Sequence, residues 1–486
     1  MTTSDDAPAV SFPAGFLWGV AATAYQIEGA VDEDGRGPSV WDTFTAQPGK
    51  VVDGSDGRVA CDHYHRYEED VALMRDLGVG AYEFSLGWSR VQPTGSGPAN
   101  AAGLAFYDRL VDSLCAAGIT PVATLYHWDH PQPLEDAGGW TSRDTAARFA
   151  DYATLAAERL GDRVPFWITM NEPQVLTLLG YAAGVHAPGR TLMFDALPVA
   201  HHLLYGHGLA ARALRAAGAR RIGIVENHMP VWPAGGSEAD TGAAQAYDLL
   251  YNHLFADPVL LGRYPDDGFG DAMPGPVDDD LHTIATPLDF YGVNYYMPAL
   301  VGAPRTGADT GGSGAAAGTA VGEAGLVNGM AVPEGLPFEL HAVEGYPRTD
   351  FGWPVVPDGL RQVLVGLRDR YGDRLPPVYV TENGCSYDEH PDETGRVRDD
   401  RRIAFHDGHL RAVRAALDEG VDVRGYFAWS IMDNFEWAEG FTQRFGLVHV
   451  DYGSLARTPK DSYHWYREVI RRGGLPSAAS GSHAES

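Results

Sequence analysis

Basic residues are scarce in this chain of 486 residues: Lys and Arg number 36 against 65 Asp and Glu, a formal net charge of −29. A field of that sign repels phosphate backbones and anionic membrane surfaces, so nucleic acid and lipid are poor partners and a neutral substrate suits it better. Cysteine is scarcer still. Cys61, Cys115 and Cys385 lie far apart with no CxxC pairing, which excludes a disulfide framework and a cysteine zinc site and fits a reducing compartment. The first ten residues, MTTSDDAPAV, carry acidic groups where a secretion signal needs a basic stretch and an apolar run. No apolar run reaches membrane-spanning length, and the expected location is the cytoplasm. No GxGxxG follows the first strand-like segment, which argues against a dinucleotide site, and no metal or other cofactor motif is visible.

What is abundant is apolar material. Hydrophobic residues make up 44% of the chain and charged residues 21%, enough for a large core in a soluble globular protein. The length admits two or three domains, or a single α/β barrel. Short apolar or β-branched runs decide between them. They occur at 16–26 (FLWGVAATAYQ), 80–85 (GAYEFS), 119–127 (ITPVATLYH), 164–172 (VPFWITMNE), 221–226 (RIGIVE), 288–294 (LDFYGVN), 377–382 (PVYVTE) and 423–429 (VRGYFAW). Segments with helical periodicity separate them, including one around 402–417. Near-continuous apolar strands alternating with helices indicate a parallel sheet buried on both faces, and eight such units favour a closed barrel. The expected fold class is therefore α/β, a single-domain (β/α)8 barrel with long βα loops over residues 1–472, with 473–486 a disordered tail. Residues 302–329, dense in Gly, Ala and Thr, are expected to form a mobile loop leaving the carboxyl end of strand six over the active-site face.

Barrels of this kind carry their chemistry at the carboxyl ends of the strands. The polar and aromatic residues that close the runs are Gln26, His127, Trp128, Asn171, Glu172, Asn294, Tyr296, Glu382 and Trp429. Two glutamates ending apolar strands are costly to bury unless they titrate or pair, so Glu172 and Glu382 are the candidate catalytic groups. Paired carboxyl groups suit glycoside hydrolysis, where one protonates the leaving oxygen and the other attacks the anomeric carbon. Amides and His127 suit sugar hydroxyls. Trp128, Trp429 and Trp437 offer flat faces to the C–H side of a pyranose, with an indole N–H left to donate. Taken one at a time, a tryptophan or histidine at a strand end is more often packing than binding. Their convergence on one face is what points to carbohydrate.

With FLWGVAATAYQIEGA, YHWDHP, TMNEP, DFYGVNYY, YVTENG and WSIMDNFEWAEGFTQRFGLVHVDY in order along nearly the whole chain, the sequence resembles glycoside hydrolase family 1, the β-glucosidase and β-galactosidase family. The resemblance implies a retaining β-glycosidase acting on a small neutral β-glycoside without a cofactor, with Glu172 as acid/base and Glu382 as nucleophile. It also implies that Gln26, His127, Trp128, Asn171, Trp429, Glu436 and Trp437 hold the sugar whose bond is cleaved. Glu436 would accept from the two hydroxyls farthest from the anomeric centre. Asn294 and Tyr296 would stand near the nucleophile, and Trp353 in DFGWPV would be the platform on the leaving-group side.

One position departs from the resembled family. Where YRFS is usual on strand two, this chain reads YEFS, so Glu83 replaces an arginine beside the nucleophile. Period-two alternation puts Glu83 and Ser85 on one side of the strand and Phe84 on the other, which would aim Glu83 into the barrel. A third carboxyl group there raises the pKa of its neighbours where an arginine would lower it. The alternatives to a hydrolase are a transglycosidase of a small-molecule glycoside pathway and a weakly active or non-catalytic sugar-binding relative.

Overall fold

The eight apolar runs become eight parallel strands. In the computed structural model, which describes residues 10–304, 326–327, 330–331 and 337–475, they are β1 (Leu17–Ala22), β2 (Ala81–Ser85), β3 (Thr120–Thr124), β4 (Phe166–Asn171), β5 (Arg221–Asn227), β6 (Phe290–Asn294), β7 (Val378–Asn383) and β8 (Val423–Trp429). Each pairs with the next, and β8 returns to β1 through Gly425↔Leu17 to Trp429↔Ala21, so the sheet closes as a barrel.

Closure demands that inward side chains fill the bore. Ala81, Val122, Phe166, Ile168, Val225, Phe290 and Phe427 form a self-contained apolar cluster, joined by Leu17 and Tyr379. Phe427 needs the space of a missing side chain opposite it: a Cβ on Gly19 would lie 2.3 Å from its ring. The plug seals one end of the bore, leaving the carboxyl ends of the strands for chemistry.

Outside lie α1 (His63–Leu77), α2 (Ala101–Ala116), α3 (Arg143–Leu160), α4 (Leu197–Ala216), α5 (Val277–Ile284), α6 (Pro357–Tyr371), α7 (Asp400–Asp418) and α8 (Asp461–Arg472). Helix α3 shows why they form. Its buried residues Ala146, Phe149, Ala153, Ala156 and Leu160 recur every three or four positions, so one stripe covers the barrel while the rest faces water. Among the described residues, no helix is long and apolar enough to cross a membrane.

The boundaries differ from the sequence reading in ways that matter for the site. The first strand ends at Ala22, and Ala24–Ile27 is a helical turn that carries Gln26. The third ends at Thr124, leaving His127 and Trp128 in the following loop, while the fifth extends to Asn227. A second sheet escaped the reading altogether: Glu339–His341, Ala299–Gly302 and Val231–Pro233 pair in that order beside the barrel mouth. Strands of three or four residues whose partners lie far along the chain leave no periodicity to detect. Most of the expected loop 302–329 lies outside the described residues, apart from residues 302–304 and Leu326–Val327, which pairs with Met330–Ala331. Within the expected tail, Gly474–Leu475 pairs antiparallel with Val10–Ser11, and residues 476–486 lie outside the described residues.

Candidate active site

Glu172 and Glu382 stand at the ends of β4 and β7, and both strands lose register where the glutamates arise, between Ile168 and Asn171 and between Val380 and Glu382. Such irregularities re-aim side chains that strict alternation would send elsewhere. Glu172 also adopts a left-handed backbone with φ of 50°, as do Trp128 at 72° and Trp437 at 46°. Non-glycine residues in that region cost about 1–3 kcal/mol each and persist where the surroundings over-determine them.

A hydrogen-bond network fixes the two carboxyl groups. Glu172 Oε1 accepts from Asn227 Nδ2 at 2.9 Å and from Asn294 Nδ2 at 2.8 Å. Asn294 Nδ2 also donates to Asn171 Oδ1 at 3.0 Å, and its own Oδ1 accepts from Thr381 at 2.8 Å. Tyr296 donates its hydroxyl to Glu382 Oε2 at 2.7 Å. Asn171 in turn meets His127 Nε2 at 3.1 Å. Asn227 and Thr381 were not among the candidates. Ending the fifth strand at Glu226 stopped one residue short of Asn227, which obeys the same rule of polar residues closing a strand.

Burial sets the electrostatics. It raises Glu172 to about 7, against which the two amide donors pull. Burial likewise raises Glu382 well above the ordinary carboxylate range, the charges of Glu172 and Glu83 raise it further, and Tyr296 and Asn294 oppose them. No cation is among these influences. Two interacting carboxyl groups of this kind titrate as a pair, losing their protons in two steps that belong to both. Glu83 does face the bore. One of its oxygens accepts from Thr124, the other is buried with no partner among the described residues, and burial raises the group to about 8.

The expected sugar-binding residues gather around this pair. His127, Trp128, Tyr296, Trp353, Trp429, Glu436 and Trp437 line one cavity of about 300 Å³ together with both glutamates. Gln26, Asn171 and Asn294 are hydrogen-bonded to Glu436, His127 and Glu172 respectively. Gln26 Nε2 donates to Phe435 O at 2.7 Å, Asn434 Oδ1 at 3.0 Å and Glu436 Oε2 at 3.2 Å, which orients Glu436. Burial raises Glu436 to about 8 and lowers His127 to about 3, which favours the neutral form of both near pH 7. The His127 ring lies nearly parallel to Trp429 and Trp437, at 6.1 and 5.8 Å, and Nδ1 has no hydrogen-bond partner among the described residues. Trp128 differs from expectation: its N–H is committed to Asn171 O at 3.0 Å, leaving only its ring to a sugar. On the opposite wall Trp353 stacks on Phe351 at 4.4 Å and meets the Tyr296 ring edge-on at 5.2 Å.

Residues 9–475 match the pattern of "Glycosyl hydrolase family 1". The chain is 47% identical to "Thermostable beta-glucosidase B" of Thermobispora bispora over 97% of its own length and 93% of that protein's. It is 42% identical to a "Beta-glucosidase" of Agrobacterium sp., covering 99% of both chains. Among solved structures it resembles the psychrophilic β-glucosidase BglU from Micrococcus antarcticus, with a TM-score of 0.88 at 43% identity over 98% of this chain and 100% of that one. The Thermotoga maritima family 1 β-glucosidase in complex with isofagomine lactam superposes with a TM-score of 0.87 at 40% identity, covering 96% and 100% of the two chains.

Proposed function

The chain belongs to glycosyl hydrolase family 1, and from that premise we propose that it is a retaining β-glucosidase acting on small neutral β-glucosides. The observation that carries the reading is the convergence of Glu172 and Glu382 on one cavity, joined through Asn294 and faced by Trp429 and Trp437. The near-full-length likeness to proteins named β-glucosidases supports the same substrate class.

In the productive form of the pair the proton sits on Glu172 and Glu382 is ionised. Glu382 attacks the anomeric carbon while Glu172 gives its proton to the glycosidic oxygen, so the C–O bond to the leaving group breaks as the glycosyl–carboxylate bond forms. Glu172, now ionised, takes a proton from water. That water attacks the anomeric carbon, displaces Glu382 and releases glucose with its original configuration. Tyr296 steadies the charge on Glu382 in the free state. Gln26, His127, Asn171, Trp429, Glu436 and Trp437 hold the sugar, and Trp353 faces the leaving group. A cytoplasmic location belongs to the same proposal, and the three free cysteines fit it.

The two roles separate in mutants. Glu382→Gly is expected to abolish turnover of every substrate, whereas Glu172→Ala spares the first step for nitrophenyl glucosides and regains turnover with azide. Azide should yield the α-glucosyl product in the first mutant and the β-product in the second. Early NMR of the wild-type reaction should show β-glucose, in keeping with carboxyl groups about 5–5.5 Å apart. Release of α-glucose, or no azide rescue in Glu172→Ala, would remove the assignment.

A further inference from the structure

The cavity does not end at the two glutamates, and its second arm changes character. Building on the β-glucosidase reading, we infer that the preferred leaving group is a neutral, apolar alcohol or phenol and not a second sugar. The chain leaves Glu172 through Pro173–Val175 into a π-helical turn, Leu176–Ala182, that brings Leu178 onto the cavity wall. Facing it are Met229, Leu250 and Phe338, which belong to or rest against the apolar cluster around Ala243–Ala244 and Tyr247. At the rim stands Phe194, on the short helix Met193–Ala196 and 51% exposed. An aromatic ring that the fold leaves uncovered at the mouth of a cavity marks a place where a ligand can take the water's position.

A sugar leaving group would carry several hydroxyls into this arm, each needing a partner to replace water. Of the polar groups on the wall the Thr177 and Tyr251 hydroxyls are already engaged, which leaves few donors, such as Trp353 Nε1 and His186 Nδ1, without a partner among the described residues. Thr177 Oγ1 donates to Pro173 O at 2.8 Å, and the Tyr251 hydroxyl donates to Asn227 Oδ1 at 3.2 Å. An anion is disfavoured too, since no Lys or Arg among the described residues lines the cavity to pair with it. An alkyl chain or ring asks for nothing but burial, which the arm supplies in continuity with the glutamates that cleave its bond.

The test is a series of methyl, butyl, hexyl and octyl β-glucosides below their micellar concentrations, with cellobiose beside it. Leaving-group acidity changes little from butyl to octyl, so the trend over those members reads apolar contact and not chemistry. The expected result is a rise in kcat/KM of about fourfold per buried methylene, equivalent to about 0.8 kcal/mol, carried mostly by KM. Octyl glucoside should exceed cellobiose at least tenfold, and Leu178→Asn or Leu250→Asn should flatten the series. A flat wild-type series, or cellobiose matching octyl glucoside, overturns the inference while leaving the β-glucosidase reading intact. If nitrophenyl β-glucoside is also inert, the functional reading itself fails and the inference with it.

Discussion

Glu83 holds one oxygen against Thr124 and leaves the other without a partner among the described residues, while its charge acts on Glu382. Its elevated pKa carries two consequences of definite sign. In the unfolded chain this carboxyl group ionises near 4.5, whereas in the fold it keeps its proton until about pH 8, so it favours the fold least at high pH. Glu83→Gln should therefore raise Tm, and calorimetry should find the gain larger at pH 8 than at pH 5. The second consequence concerns rate. Because Glu83 keeps its proton below about pH 8 it lends Glu382 little charge there, so Glu83→Gln should leave the acidic limb of kcat/KM nearly unmoved. Glu83→Arg instead introduces a positive charge, so the acidic limb should move to lower pH and the rate on that side should rise by about tenfold, equivalent to about 1.4 kcal/mol. An unchanged acidic limb in a folded Glu83→Arg variant would show that position 83 and Glu382 are not coupled.

Short elements decide how the site is shaped. The helix Val40–Thr45 begins with a capping box: Asp42 N donates to Ser39 Oγ at 3.3 Å and Ser39 N donates to Asp42 Oδ2 at 2.7 Å. That helix supplies Trp41, whose ring packs on Trp437 at 4.6 Å and on His186 at 5.5 Å. Ser39→Ala should cost about 1 kcal/mol of stability, read from the urea midpoint, because a buried helix start loses its acceptor. KM for glucosides should rise with it as Trp437 loosens, and an unchanged KM would confine Ser39 to stability. Elements of this size also mark where the sequence stops being legible. Long apolar runs such as 164–172 declare both a strand and the glutamate that ends it, because burial writes itself into every residue. The π-helical turn Leu176–Ala182 and the side sheet at 299–302 do not, since their form depends on distant neighbours and not on local preference. Asn227 was hidden by a boundary misread by one residue. The free N–H expected of Trp128 was beyond reach because its acceptor, Asn171 O, belongs to another strand.

For the molecule entire, 65 acidic residues against 36 basic ones mean that folding gathers like charge. Self-repulsion of that sort weakens as salt screens it, with a Debye length of about 30 Å at 0.01 M falling to about 3 Å at 1 M. Raising sodium chloride through that range should increase Tm at pH 7. A Tm that falls would mean that ion pairs such as Arg370–Asp257 and Arg143–Asp280 outweigh the excess. The pairing of Val10–Ser11 with Gly474–Leu475 bears on the molecule in a different way. Residues as far apart in the chain as Val10 and Leu475 sit as neighbours on the same two-stranded ribbon, beside a barrel that is itself a ring of eight repeating units. A short linker across that ribbon would turn the fold into a cyclic thread, and the thread could be cut at the exposed turn where Gly395 N donates to Asp392 O at 2.8 Å. Order along the chain is then a convenience of synthesis and not a requirement of the architecture, which makes this fold a natural subject for circular permutation.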